Sequence, residues 1–270
     1  MVISAANATP SLADMAEVAR RIAVEAGLKG LEWFRKPVAV EVKGDQSPVT
    51  EADRAVETLL RERLRAAFPG HAILGEEFGI EGASDAPVWV VDPIDGTRSF
   101  ITGWPIWGTL MSMALAGRSS LGVLHMPALG ESWVAHAGGD CLFYAADGQV
   151  STARTSGCTS LAEARFYTTS PDYFNAGEQA GYEAIRSATS VQRFGGDCYA
   201  YGMLASGHVD LVVESRLQPY DFLALVPVIE QAGGVISDWQ GRPLEIGSGE
   251  QVIAAATPAL HREALALIAG

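Results

Sequence analysis

The residues best equipped for chemistry sit in one stretch, Val88-Trp89-Val90-Val91-Asp92-Pro93-Ile94-Asp95-Gly96-Thr97. Val88–Val91 reads as a buried strand, and it stops at two carboxylates separated by a proline. Acids released from a strand end into a tight turn suit a hard cation, which takes oxygen ligands. Pro93 keeps Asp92 extended and fixes the shape of the turn. Gly96 lets backbone approach an anion closely, and Thr97 opens a helix whose free amides and dipole favour phosphate.

Other acids also terminate or interrupt apolar elements. Asp53 lies in the first turn of a helix capped by Thr50, in register with Val56 and Leu60, so it faces inward. Glu76 and Glu77 close the short apolar strand Ala72–Leu74, and Asp221 begins the apolar helix Phe222–Ile229. Each has an ordinary structural role when taken singly: a dipole-favoured acid, a solvated pair, an N-cap, an Asp-Pro turn. Together they form an oxygen-only ligand set with no accompanying His or Cys, which favours Mg²⁺, Ca²⁺ or Mn²⁺ over zinc. Acid ligands beside an anion-binding turn fit metal-assisted phosphate hydrolysis.

Composition narrows the remaining classes. The 270 residues are 48% hydrophobic, enough for a sizeable core without staples. A net charge of −13 argues against general nucleic-acid or anionic-membrane binding. It leaves room for a small anionic substrate, because bound cations would supply the local field. Cys141, Cys158 and Cys198 are scattered and odd in number, which suggests a reducing compartment. His71, His125, His136, His208 and His261 contain no pair at helical ligand spacing. With no signal-like N-terminus and no bilayer-length apolar run, the expectation is a cytoplasmic protein.

The elements that must position these acids are legible in outline. Ser11 and Asp14 form a capping box for a first helix reaching about Phe34, and Val38–Val42 alternates like a strand. The helix after Thr50 runs to Pro69-Gly70. Gly108–Leu115, Ser120–His125 and Glu131–Ala137 have an antiparallel rhythm. Strands at Ala164–Thr168, Ser190–Phe194, Leu211–Val213, Val235–Trp239 and Val252–Ala256 alternate with helices at Asp197–Ser206, Asp221–Gln231 and after Thr257-Pro258. Interleaving throughout predicts a layered α/β or α+β fold, one domain over residues 1–270 with a metal-site half near 1–145 and an α/β half near 146–270.

Four segments in order resemble the inositol monophosphatase family of Mg²⁺-dependent phosphatases. They are Lys43 with Ser47-Pro48-Val49-Thr50 and Asp53; Gly75-Glu76-Glu77; Trp89 to Thr97 with Phe100; and Tyr220-Asp221 with Ala232-Gly233-Gly234, Asp238 and Gly241. The resemblance implies an α-β-α-β-α sandwich, usually dimeric, acting on a small phosphorylated substrate. It assigns two or three Mg²⁺, with Mn²⁺ possible, to Glu76, Asp92, the Ile94 carbonyl, Asp95 and Asp221, with Asp53 holding a further, weaker metal. Thr97, beside Asp53 and Glu76, would orient and deprotonate the attacking water.

Three segments resemble the histidinol-phosphatase branch: Arg98-Ser99-Phe100-Ile101-Thr102-Gly103, Gly195-Gly196-Asp197-Cys198-Tyr199-Ala200-Tyr201, and Pro219 to Pro227, where Tyr220 replaces the family's usual Trp. The implied reaction is hydrolysis of L-histidinol phosphate in histidine biosynthesis. The ammonium and imidazole of that substrate call for acids, and the resemblance puts Asp197 and Glu214 near the leaving group. The substrate-contact set is then Lys43, Gly96, Thr97, Arg98, Asp197, Glu214 and Asp221. An inositol pocket would also use acids, so a general or inositol monophosphatase is the alternative. A regulatory protein of this fold, working through protein or RNA contacts, is a third reading, disfavoured by the net charge and the intact acids.

Overall fold

The computed structural model describes residues 10–42, 48–83 and 85–269. Helix α1 (Leu12–Leu31) opens on the Ser11/Asp14 capping box and ends three residues before the expected Phe34. Strands β1 (Val40–Val42) and β2 (Pro48–Thr50) form a small antiparallel ribbon leading into α2 (Glu51–Ala67). There follow β3 (Ala72–Gly75), β4 (Gly79–Glu81), β5 (Val88–Asp95), α3 (Thr97–Thr102), β6 (Gly108–Leu115), β7 (Arg118–Met126), β8 (Glu131–His136), β9 (Leu142–Tyr144) and β10 (Val150–Thr152). The second half comprises β11 (Arg165–Thr168), α4 (Gln179–Ala188), β12 (Val191–Phe194), α5 (Asp197–Ala205), β13 (Leu211–Glu214), α6 (Pro219–Phe222), α7 (Leu225–Gln231), β14 (Val235–Ser237), β15 (Val252–Ala255) and α8 (Pro258–Ile268).

These elements stack as five layers, α-β-α-β-α. Among the described residues, an eight-stranded sheet has the order β10-β9-β8-β7-β6-β5-β3-β4, antiparallel except where β3 joins β5. One face carries α1 and α2, which bury Ala19, Ala23, Ala26, Val56 and Leu60 against Trp89, Trp107 and Met111. Small residues make that approach possible: a Cβ on Gly30 would meet the Trp107 ring at 3.0 Å. The other face meets α5, α6 and α7, and Gly122 lies directly against the Ala224 carbonyl. Those helices also cover a five-stranded sheet, order β12-β11-β13-β15-β14. Its far face packs Phe166, Leu211 and Ile253 against Tyr182 of α4 and Leu260 of α8.

Three expectations need correction at the site. β5 does not end at Val91 but continues to Asp95, with a register shift against β6 between Asp92 and Asp95. In a regular strand, residues three apart face opposite sides; the bulge brings the two carboxylates together. The helix expected over Asp221–Gln231 is two helices, α6 and α7, and Asp221 is the third residue of α6, not its cap. Gln218 caps α6 in a reciprocal box: its N–H donates to Asp221 Oδ2 at 2.7 Å. Asp197, too, follows the cap, which is Gly196, and opens α5 at φ +43°.

Candidate active site

Asp92, Asp95 and Asp221 each offer a carboxylate oxygen within 4.8 Å of the others. Each also has one oxygen tied to a backbone amide from a different segment. Ile94 N–H donates to Asp92 Oδ1 at 3.0 Å, Cys198 N–H to Asp95 Oδ2 at 2.7 Å, and Gln218 N–H to Asp221 Oδ2 at 2.7 Å. Such bonds orient carboxylates for a cation, as outer-shell partners do in metal sites. They come from the β5 bulge, the start of α5 and the start of α6, so three elements converge on one point.

Glu76 and Asp53 flank this cluster. Glu76 follows β3, its N–H donating to the Val91 carbonyl of β5 at 3.3 Å. Its charge raises the carboxyl pKa values of Asp92, Asp221 and Asp53, which places it beside all three. Asp53 is fully buried at the third position of α2 and accepts from both Thr50 N (2.8 Å) and Thr50 Oγ1 (2.6 Å). Thr97 Oγ1 lies 3.2 Å from the Ile94 carbonyl and 3.5 Å from Asp53 Oδ1. Lys43 lies outside the described residues.

A cavity of about 430 Å³ opens over the cluster, lined by Glu76, Asp92, Ile94, Asp95, Gly96, Thr97, Arg98 and Asp221. Asp197 and Glu214 line it as well, so among the described residues every expected site residue except Asp53 borders one space. Glu214 ends β13 and is held from β11 and just beyond: Thr168 Oγ1, Thr169 N and Thr169 Oγ1 donate to it at 3.2, 2.8 and 2.9 Å. Asp197 accepts from Ser99 Oγ of α3 at 2.5 Å. Asp197 also lies close to Gly96, where an added Cβ would meet its carboxyl carbon at 3.0 Å.

Sequence reasoning missed several supports. Glu57 on α2 is fully buried and accepts from Glu77 N, Phe78 N and Arg61 Nε at 2.7, 3.2 and 2.8 Å, fixing the loop that carries Glu76. Its spacing from Asp53 along one helix face was the available signal. Ser99, Thr169 and Gln218 gave none, since lone polar residues are common. Tyr201 also lines the cavity, and its buried hydroxyl has no hydrogen-bond partner among the described residues.

The electrostatics fit a cation. Burial, and then the charges of neighbouring acids, push Asp92 and Asp221 well above the ordinary carboxylate range. Asp95 rises to about 7, chiefly by burial and then by Asp197. Burial also raises Asp53 and Asp197, the latter opposed by Ser99 and Arg98, and lifts Glu214 to about 8 despite its threonine donors. Like charges gathered in a low-dielectric pocket are unfavourable without a counter-charge. An all-oxygen donor set of this kind matches a hard divalent ion.

The inositol monophosphatase family model matches residues 11–269. The chain is 42% identical over 243 residues to the chloroplastic bifunctional phosphatase IMPL2 of Arabidopsis thaliana, covering 87% of this chain and 69% of that protein. It is 36% identical to a histidinol-phosphatase of Chlorobaculum parvum, covering 96% of this chain and 97% of that one. An inositol monophosphatase structure from Zymomonas mobilis superposes with a TM-score of 0.86 at 38% identity, covering 97% of this chain and all of that one. With a family match running almost end to end, and relatives sharing this much sequence over most of their length, the chain belongs to the inositol monophosphatase family.

Proposed function

We propose that this phosphatase hydrolyses L-histidinol phosphate to L-histidinol and phosphate with Mg²⁺, a step of histidine biosynthesis. The observation that carries the reading is a single cavity lined both by the acid cluster and by two further acids, Asp197 and Glu214. A phosphate ester whose alcohol bears an ammonium has matching needs at both ends. The histidinol-phosphatase relative supports the same substrate.

Mg²⁺ held by Glu76, Asp92, the Ile94 carbonyl, Asp95 and Asp221, with Asp53 nearby, would supply positive charge for the phosphate and lower the pKa of an adjacent water. The chain's own residues do the rest. Thr97 donates its single proton to the Ile94 carbonyl or Asp53, which leaves an oxygen lone pair to accept a hydrogen from the attacking water. Gly96 and Arg98 border the phosphate end. Asp197, which packs against Gly96, and Glu214 accept from the substrate's ammonium, whose charge favours their ionised forms. Water attacks phosphorus in line, the P–O bond to the alcohol breaks, and the alcohol oxygen leaves with a proton.

The test is a comparison of kcat/KM for histidinol phosphate and inositol 1-phosphate with Mg²⁺. A large preference for histidinol phosphate is expected, and a preference for the inositol ester overturns the assignment. We also propose a homodimer, which light scattering on the purified protein checks.

A further inference from the structure

Asp197 occupies a left-handed backbone conformation, uncommon for any residue but glycine. Two bonds lock its segment onto the end of β5 and the start of α3: Cys198 N–H donates to Asp95 Oδ2, and Ser99 Oγ donates to Asp197 Oδ2. The absence of a side chain at Gly96 lets the two segments meet. Residues about a hundred apart in sequence are thereby joined beside the cavity that Asp95 and Asp197 line. Arg98, adjacent to Ser99, attracts the same carboxylate and also bonds Tyr173, another wall residue.

The cluster acids are oriented by backbone amides, whose positions the fold fixes. Asp197 differs: the bond to its carboxylate comes from a side-chain hydroxyl. Without that hydroxyl the carboxylate would lose its hydrogen-bond donor and keep only the attraction of Arg98 to hold its χ angles. We propose that Ser99 is a positioning residue that aims the Asp197 carboxylate at a cationic leaving group, so that a residue of α3 sets specificity for the alcohol. This rests on the histidinol phosphate reading.

The experiment compares wild type, Ser99→Ala and Ser99→Thr on histidinol phosphate and on glycerol 2-phosphate, whose alcohol carries no cation, all with Mg²⁺. For Ser99→Ala, KM for histidinol phosphate is expected to rise about tenfold, the loss of one charge-assisted hydrogen bond. Its kcat/KM on glycerol 2-phosphate should stay at the wild-type value, and Ser99→Thr should restore the low KM. An unchanged KM for histidinol phosphate, or an equal loss on both esters, overturns the proposal. A crystal structure of Ser99→Ala provides a second, substrate-independent readout: a displaced Asp197 carboxylate supports the proposal, and an unmoved one overturns it. A wild type with no preference for histidinol phosphate would overturn the substrate reading alone, because the crystallographic result judges Ser99 separately.

Discussion

Asp95 shows why single atoms matter here. One of its oxygens takes the Cys198 amide, and the carboxylate is close enough to Asp92 and Asp221 to share a cation. Asp95→Asn keeps an acceptor for that amide but removes the charge. We expect the variant to fold, to lose the rise in melting temperature that Mg²⁺ gives the wild type, and to lose at least ~100-fold in activity, since even outer-shell changes cost metal sites roughly 10–100-fold. Melting curves with and without Mg²⁺, alongside turnover, check this. A purely regulatory protein would keep its binding role in the variant.

At the scale of elements, the sequence announced the parts better than their joints. The capping boxes of α1 and α2 and the strands β6 to β8 follow from patterns that local chemistry enforces. The bulge in β5 and the break between α6 and α7 did not, because each is settled by tertiary partners. The edge strands β4 and β10 and their neighbour β9, three residues each, are too short for periodicity to mark. Asp92, Asp95 and Asp221, which the structure gathers, stand out in the sequence by their abrupt placement beside apolar runs, and Glu57 by sharing a helix face with Asp53, whereas Ser99 emerges only once distant segments meet. Gly75 tests one such joint. A Cβ there would overlap the Glu57 carboxylate, which is already engaged by two loop amides and Arg61. Overpacking of this kind costs about 1–3 kcal/mol. Gly75→Ala should therefore lower stability by that amount and weaken Mg²⁺ affinity through Glu76; a variant with unchanged Mg²⁺ titration would show that the loop tolerates the shift.

For the molecule as a whole, five layers concentrate acids where helices and sheets meet, and that placement links stability to pH and metal. Glu214 at about 8 and Asp95 at about 7 are raised in the folded protein, as are Asp92 and Asp221. In the unfolded chain such groups ionise near ~4. Between those values the folded state holds protons that the unfolded state releases, so stability falls as pH rises through the folded values. Histidines oppose this only at lower pH: burial lowers His125 to about 4, so its contribution is lost as pH drops below the ordinary histidine range. A window from about pH 7 to 8 is therefore dominated by the carboxylates, because unfolded histidine is mostly neutral and unfolded thiols are mostly protonated there. In chelator, the melting temperature should decline across that window. Mg²⁺ competes with the same protons, so its stabilising effect should be larger at the alkaline end, where fewer protons need displacing. Asp95→Asn should flatten both trends. A melting temperature in chelator that stayed level or rose with pH would mean that the acids are already balanced within the folded chain, and that the cavity has no unmet demand for a cation.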